Sequence, residues 1–510
     1  MRFHAVVEFE FTRDLAREVE VLASVLKQAN ATVLARGAPK DHPEEGAKIT
    51  DWKLEKHALV TKIESGGVVR AHAAVIRLRN LLNQELGRKL RVGVKALRVR
   101  EFRVSEYALK RKPLDAEKVE ISFFVESLRF KGGEAEIVFK NLSEELLENG
   151  SVDRLLALLD DKIEAQYYEG KSEVKEFKWA SREKKVFYDK DPAVELEARH
   201  WIARTRAKAQ FVYGPNFTVL VNALKTLFLE HVYNPLGFRE MLFPKFESWD
   251  VPKRSGHAKT IYSDAYFVFV PRESNPQAWV KEKDYFRITG EIYDKEFSNK
   301  LAPVGIMSYA QCPPFWNYVS GRTIREESLP FKVFDWSGPT YRNEAGGTQG
   351  ISRLEEFHRI ETLFIGTPEQ VKKIFNELDN ALTKLYDDIL ELEFKKFWVT
   401  PWFLAQEGKK NLSEKESEGV GTIDFEFWLP WRGPRETSEY LETQNLSNNG
   451  DKYTKGFSVK TQKGELWSGC AGTSFERLIC SFLSQKGFET KNWPCEVRDR
   501  VEFVEDLKFA

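Results

Sequence analysis

Residues 341–361 read YRNEAGGTQGISRLEEFHRIE, and their reading decides the fold. Three arginines and four glutamates crowd around a centre of small residues, AGGTQGIS. That centre does not suit a helix interior, where each glycine costs about 1 kcal/mol relative to alanine. The pattern predicts strand, loop, strand, with an arginine and a glutamate at each end. Such an arrangement suits the grip of an anionic ligand. A solvated charged surface is the plainer alternative.

The 510 residues are too many for one core, so two to four domains are expected. Lys plus Arg equals Asp plus Glu, 78 against 78, and a nucleic-acid partner then needs a local basic patch. Four cysteines are no disulfide framework. MRFHAVVEFEF lacks the apolar stretch of a signal peptide, and no run of 18 apolar residues appears. A cytoplasmic protein without a membrane span is expected. Neither a Walker A pattern nor GxGxxG after a strand is present, so P-loop and Rossmann nucleotide binding are not supported.

Outward from the opening stretch, the elements fall into two regions. In 1–170, HAVVEFEF reads as a strand and TRDLAREVEVLASVLKQAN as a helix with Leu15, Val19, Leu22 and Leu26 on one stripe. DWKLEKHALVTKIE is strand-like, VVRAHAAVIRLRNLLNQEL is a helix, and KVEISFFVESLRFKGGEAEIVFK is a hairpin turning at KGG. NLSEELLENGSVDRLLALLDDKIEAQ is helical from a Ser143 start. The charged run 171–195 is expected to be a linker, and 196–510 a second domain. There TVLVNALKTLFLEHVYNPLG is a long helix, FREMLFPKFES a strand ending at Pro244, and 366–392 a helix with a Thr cap and Pro in its first turn.

Three pieces then stand in order: the long helix and Pro244 strand, then YRNEAGGTQGISRLEEF, then GCAGTSFERL at 469–478. This order resembles motifs 1, 2 and 3 of class II aminoacyl-tRNA synthetases. The resemblance implies an α+β fold, an antiparallel sheet flanked by helices, and a homodimer. Motif 2 of that class reads Arg-x-Glu, a loop, then Arg-x-x-x-Phe, matched by Arg342, Glu344, Arg353 and Phe357. Motif 3 is matched by Gly469, Gly472 and Arg477. By this resemblance Arg342 holds the α-phosphate of ATP and the substrate carboxylate, Glu344 shares the site, Arg353 and Arg477 hold the γ-phosphate, and Phe357 stacks on adenine. Glu442, in YLETQNLSN, stands where the class places a carboxylate for Mg²⁺. The chemistry agrees, because charge building on a reacting phosphate calls for fixed cations, and the arginine fork fits phosphate oxygens.

RLEEFHRIE is similar to the motif 2 ending of seryl-tRNA synthetases, yet nothing in 1–170 sustains the heptads of the common seryl enzyme's coiled coil. The whole chain resembles the rare methanogen-type seryl-tRNA synthetase. That family has an N-terminal sheet-and-helix tRNA-binding domain and a zinc held by Cys, Glu and Cys. The resemblance places the zinc on Cys312, Glu361 and Cys470, with one zinc per subunit and Mg²⁺ accompanying ATP. It places the serine pocket on Arg342, Trp402, Gln406 and Asn445. Residues 396–416 would form a helix-turn-helix that closes over serine. The implied reaction makes seryl-adenylate from serine and ATP, then transfers serine to the 3′ end of tRNA(Ser), with its long variable arm, and of tRNA(Sec). A threonyl-like zinc enzyme is a rival, but threonyl enzymes use Cys with two His. A class II-derived aminoacyl ligase or RNA-binding paralogue is another, and such ligases lack a tRNA domain. Residues 88–112, RKLRVGVKALRVREFRVSEYALKRK, hold ten Lys or Arg against two Glu. Arg77, Lys89, Arg98, Arg100 and Arg103 are the expected tRNA contacts, with a solvated basic strand as the bland alternative.

Overall fold

The computed structural model describes residues 1–167, 175–344, 347–400 and 413–506. Two compact units divide the chain, Met1–Ser172 and Glu173–Ala510. In the first unit, β1 (Arg2–Phe11), β2 (Ala47–Glu55), β3 (Ala58–Ser65), β4 (Val94–Ala108), β5 (Val125–Lys131) and β6 (Glu134–Phe139) form one antiparallel sheet in the order β2-β3-β1-β4-β6-β5. Phe3, Ala5, Val7, Phe9 and Phe11 of β1 are buried and alternate with more open residues, the period-2 signature of a sheet covered on one face. Stripes of α1 (Val19–Ala31), α2 (Ala71–Leu90) and α4 (Ser151–Gln166) join the same core. The β5–β6 turn uses Gly132 at φ +67°, which a residue with a Cβ adopts only at a cost.

The first helical stripe differs from its expectation. The helix begins only at Val19, which is 41% exposed, so Leu15 and Val19 share no helical face; Leu22, Val25, Leu26 and Ala29 carry the burial instead. The Ser143 helix is also broken. Its cap accepts a hydrogen bond from Leu146 N at 3.3 Å, α3 spans only Glu144–Glu148, and Gly150 at φ +73° separates it from α4.

The second unit is built on a nine-stranded sheet. Its main path uses β7 (Glu176–Ala180), β8 (Arg239–Glu240), β9 (Phe331–Asp335), β10 (Glu356–Gly366), β11 (Phe394–Val399), β12 (Gly421–Phe427), β13 (Leu441–Gly450) and β14 (Trp467–Ser474) in the order β8-β9-β10-β14-β13-β12-β11-β7. The pairings are antiparallel except β8 with β9, and Pro339–Tyr341 pairs alongside β10. Helices α5 (Pro215–Phe228), α7 (Pro368–Lys384) and α8 (Phe475–Lys486) share the core of this sheet, while α6 (Cys312–Val319) packs in a smaller cluster with Leu363 and Ile365 of β10. The capping box at α7 is complete: Thr367 Oγ1 accepts from Gln370 N at 3.3 Å, and Gln370 Oε1 accepts from Thr367 N at 2.9 Å.

Three expectations are corrected here. The run 171–195 is not simply a linker, because β7 is the edge strand of the nine-stranded sheet, paired with β11, and the Trp179 ring centre lies 5.2 Å from that of Phe394. Its charged residues alternate with Phe177 and Trp179, and the charge masked the strand. KKFWV is likewise strand rather than helix, since β7 and β12 supply ladders on both sides and buried Lys396 pairs with Asp379 at 2.8 Å. Residues 401–412 of the expected helix-turn-helix, with Trp402 and Gln406, lie outside the described residues. The Pro244 strand is also shorter than expected. Arg239–Glu240 joins the main sheet and Phe246–Ser248 a separate three-stranded one, because the proline between them has no N–H for a ladder.

Candidate active site

Motif 2 folds because Tyr341 ends one short strand and Glu356 begins its partner; the two pair directly across the loop. Arg342 follows the first strand. Its Nε donates to the Tyr309 carbonyl at 3.3 Å, and its guanidinium carbon sits 4.5 Å from the Tyr309 ring and 6.0 Å from the Phe357 ring. Phe357 packs partly into the core beneath it. Arg353 Nε donates to Glu344 Oε2 at 3.1 Å, closing the loop with an ion pair. Arg477 rides on the first turn of α8, which Ser474 caps. Its Nε donates to the Ser352 carbonyl at 3.1 Å and its Nη1 to the Glu442 carbonyl at 2.8 Å. Burial pulls the Arg477 pKa below its usual value, opposed by the nearby Glu442 carboxylate.

These side chains line two hollows. One, of about 210 Å³, holds Arg353, Arg477, Arg432, Ser352 and Glu442. The other, of about 390 Å³, holds Arg342, Asn445, Cys312, Glu361, Cys470 and again Glu442. One carboxylate therefore borders both.

Cys312 opens α6, Glu361 lies within β10 and Cys470 within β14, yet their ligand atoms all fall within 4.8 Å of one another. A tetrahedral zinc with Zn–S of about 2.3 Å and Zn–O of about 2.1 Å spaces its ligands by about 3.6–3.8 Å, so the cluster needs only a small contraction. Hydrogen bonding to Cys470, burial and the charge of Glu361 push the Cys312 thiol well up. Burial likewise raises the Glu361 carboxyl, whose Oε2 lacks an aligned hydrogen-bond partner. Two soft sulfurs and a carboxylate, with Cys312 and Glu361 buried and Cys470 half-buried, are a donor set suited to zinc. Cys480, by contrast, is buried in the core, and Cys495 is exposed.

Comparison with known proteins bears on both units. Residues 1–161 match a family described as a tRNA-binding domain, and residues 305–486 the class II tRNA synthetase core domain (G, H, P, S and T). The type-2 serine–tRNA ligase of Methanococcoides burtonii is 39% identical over 100% of this chain and 99% of its own. The counterpart in Methanothrix thermoacetophila is 40% identical over the full length of both. The chain belongs to the type-2 serine–tRNA ligases. It is a class II enzyme with an N-terminal tRNA-binding domain. Its fold superposes on M. kandleri SerRS, solved with A. aeolicus tRNASec, with a TM-score of 0.81 at 28% identity, covering 98% of this chain and 96% of that one. Among the described residues no helix is long and apolar enough to cross a membrane.

The basic stripe is less bare than its sequence suggests. The β1–β4 register sets Glu8 opposite Arg98, so Arg98 meets Glu8 at 3.3 Å and Glu10 at 3.2 Å, and Arg100 meets Glu8 at 2.8 Å and Glu55 at 3.1 Å. Arg103 lies 3.8 Å from Glu136, Lys89 pairs with Glu85 at 3.0 Å, and Arg77 donates to the Arg36 carbonyl at 2.7 Å. Cross-strand charge pairing of this kind is invisible in a count of lysines and arginines.

The sequence reading missed several residues of the larger hollow, among them Arg359, Asn449, Tyr309 and His257. Arg359 and Glu361 stand two apart on one strand face, a signal that was available. Asn449 Nδ2 donates to Cys470 Sγ at 3.4 Å across neighbouring strands, a contact with no local trace. Burial and the cations Lys452 and Arg342 depress His257 to about 3, keeping its imidazole neutral.

Proposed function

We propose that serine occupies the larger hollow and the triphosphate of ATP the smaller, with Glu442 at their junction. The observation that supports this most is that shared carboxylate, flanked by arginines on one side and the Cys–Glu–Cys cluster on the other. In the first step the serine carboxylate attacks the α-phosphorus and pyrophosphate leaves. Arg342 holds both reacting groups. Arg353 and Arg477 hold the γ-phosphate, which draws Arg353 away from Glu344. Phe357 stacks on adenine, and Glu442 supplies the protein carboxylate for Mg²⁺, a cation that commonly takes one or two such groups plus phosphates. These fixed charges need little reorganisation as negative charge builds on the phosphate. Cys312, Glu361 and Cys470 would hold a zinc, which would supply a Lewis acid for the serine amino group. Asn445, Trp402 and Gln406 then judge the side chain, and a site built to hydrogen-bond a hydroxyl rejects an analogue lacking it by about 10⁴-fold or more.

In the second step serine passes to the 3′ end of tRNA(Ser). The N-terminal unit holds that RNA by its backbone and its long variable arm through Arg77, Lys89, Arg98, Arg100 and Arg103, the last four exchanging carboxylate partners for phosphates. The complex of the M. kandleri enzyme supports extending the substrate range to tRNA(Sec). The working form is a cytoplasmic homodimer. Pyrophosphate exchange measured with each of the twenty amino acids tests the reading. Serine alone should support rapid exchange; exchange with threonine in place of serine would overturn it.

A further inference from the structure

Arg359 has no part in the scheme above, yet it lines the same hollow as serine's assigned partners. It precedes Glu361 by two positions on β10, so both side chains leave the same face of the sheet. Arg359 Nε lies 3.0 Å from Glu361 Oε2, with the two side chains only 8% and 2% exposed. The charges touch, but neither atom has an aligned hydrogen-bond partner, so the carboxylate is held by charge while keeping lone pairs to give.

The room for this guanidinium comes from the neighbouring strand. Gly472 of β14 stands directly opposite Glu361. A Cβ at position 472 would lie 1.4 Å from Arg359 Nη2. The Gly472 amide donates to Asn445 Oδ1 at 3.2 Å, which fixes the strand at this point. This glycine of motif 3 therefore provides space for Arg359.

Charge balance gives the arrangement its purpose. Two thiolates and one carboxylate carry three negative charges; a divalent cation leaves one, inside a buried site where an unbalanced charge is costly. Arg359 supplies the missing positive charge at the one ligand that is not sulfur. We propose that Arg359 is a positioning residue of the metal-ligand set: it turns the Glu361 carboxylate toward Cys312 and Cys470 and neutralises the filled site, in space that Gly472 leaves open. The inference rests on the zinc reading above.

The test uses the full-length protein and zinc affinity by chelator competition, read alongside the thermal melt. The parent is measured first. If it takes up no zinc, the metal reading itself falls, and this inference with it. If it binds one zinc, Arg359→Met and Gly472→Ala should each weaken binding about 10- to 100-fold, the usual effect of losing an outer partner of a ligand. Gly472→Ala is informative because it displaces an arginine that is still present. Arg359→Lys keeps the charge and should recover part of the affinity. Cobalt-loaded Arg359→Met should keep its thiolate-to-metal absorption while its ligand-field bands shift, a change that general loosening of the fold does not produce. Parent-like affinity in both Arg359→Met and Gly472→Ala overturns the proposal. Should Arg359→Met fail to fold, Arg359→Lys binding more tightly than Gly472→Ala supports it, and both at the parent value overturn it.

Discussion

Glu247 is 2% exposed, and its Oε1 lacks a hydrogen-bond partner. Burial raises its carboxyl pKa to about 8, which the Ser308 hydroxyl only partly offsets. The native state thus keeps a proton that the unfolded chain releases near 4.5. This contribution to stability is full below pH 4.5 and is lost as pH rises through about 8, at up to about 1.4 kcal/mol per pH unit. Glu247→Gln should flatten that slope, so its stability relative to the parent rises between pH 5 and 8 in urea titrations; parallel curves would refute the assignment. The arginines allow a second residue-scale prediction. A charge-assisted hydrogen bond contributes about 1.5–3 kcal/mol, so Arg353→Ala and Arg477→Ala should each slow pyrophosphate exchange about 10- to 100-fold without unfolding. Arg342→Ala should be slower still, because the role proposed for Arg342 is on the reacting phosphate. A parent-like exchange rate for Arg342→Ala would remove motif 2 from the mechanism.

Among the elements, β14 packs closely against both neighbouring strands. A Cβ at Gly469 would meet Phe364 Cζ at 2.1 Å and the Ser447 carbonyl oxygen at 2.7 Å, one on each neighbouring strand. Gly469→Ala should therefore destabilise the catalytic unit by about 1–3 kcal/mol, as overpacking does, visible as a lower denaturant midpoint; an unchanged midpoint would show that the sheet absorbs the methyl group. The same strand shows which elements could be read in advance. The capped helix α7 was legible because its Thr and Pro act on their own first turn. The edge strand β7 was not, because its stability comes from β11, more than two hundred residues away, and its local composition is that of a charged linker.

The whole molecule consists of two units with separate cores, one matching a tRNA-binding domain and the other carrying every assigned activation residue. A fragment spanning 173–510 should therefore form seryl-adenylate but charge tRNA poorly at ordinary concentrations. For the full chain, charging should weaken steeply with salt, and removing one of the β4 arginines proposed to hold phosphate should flatten the log–log slope by somewhat less than one unit. Full charging by the fragment would give the N-terminal unit another job.

By itself the sequence determined what is local. It specified the strand–loop–strand of motif 2 with Arg342, Glu344 and Arg353, the capped helix α7, and the order of three motifs that named a class. Glycine's cost in helices, proline's missing amide and cap chemistry all act within a few residues, so their signals survive in one dimension. Tertiary structure alone decided which distant groups meet. It brought Cys312, Glu361 and Cys470 from three elements to within 4.8 Å, laid Arg359 across Gly472, and set Glu8 and Glu10 against the arginines of β4. Those contacts depend on strand register and on the space a facing residue leaves, and both are fixed only when the sheet assembles.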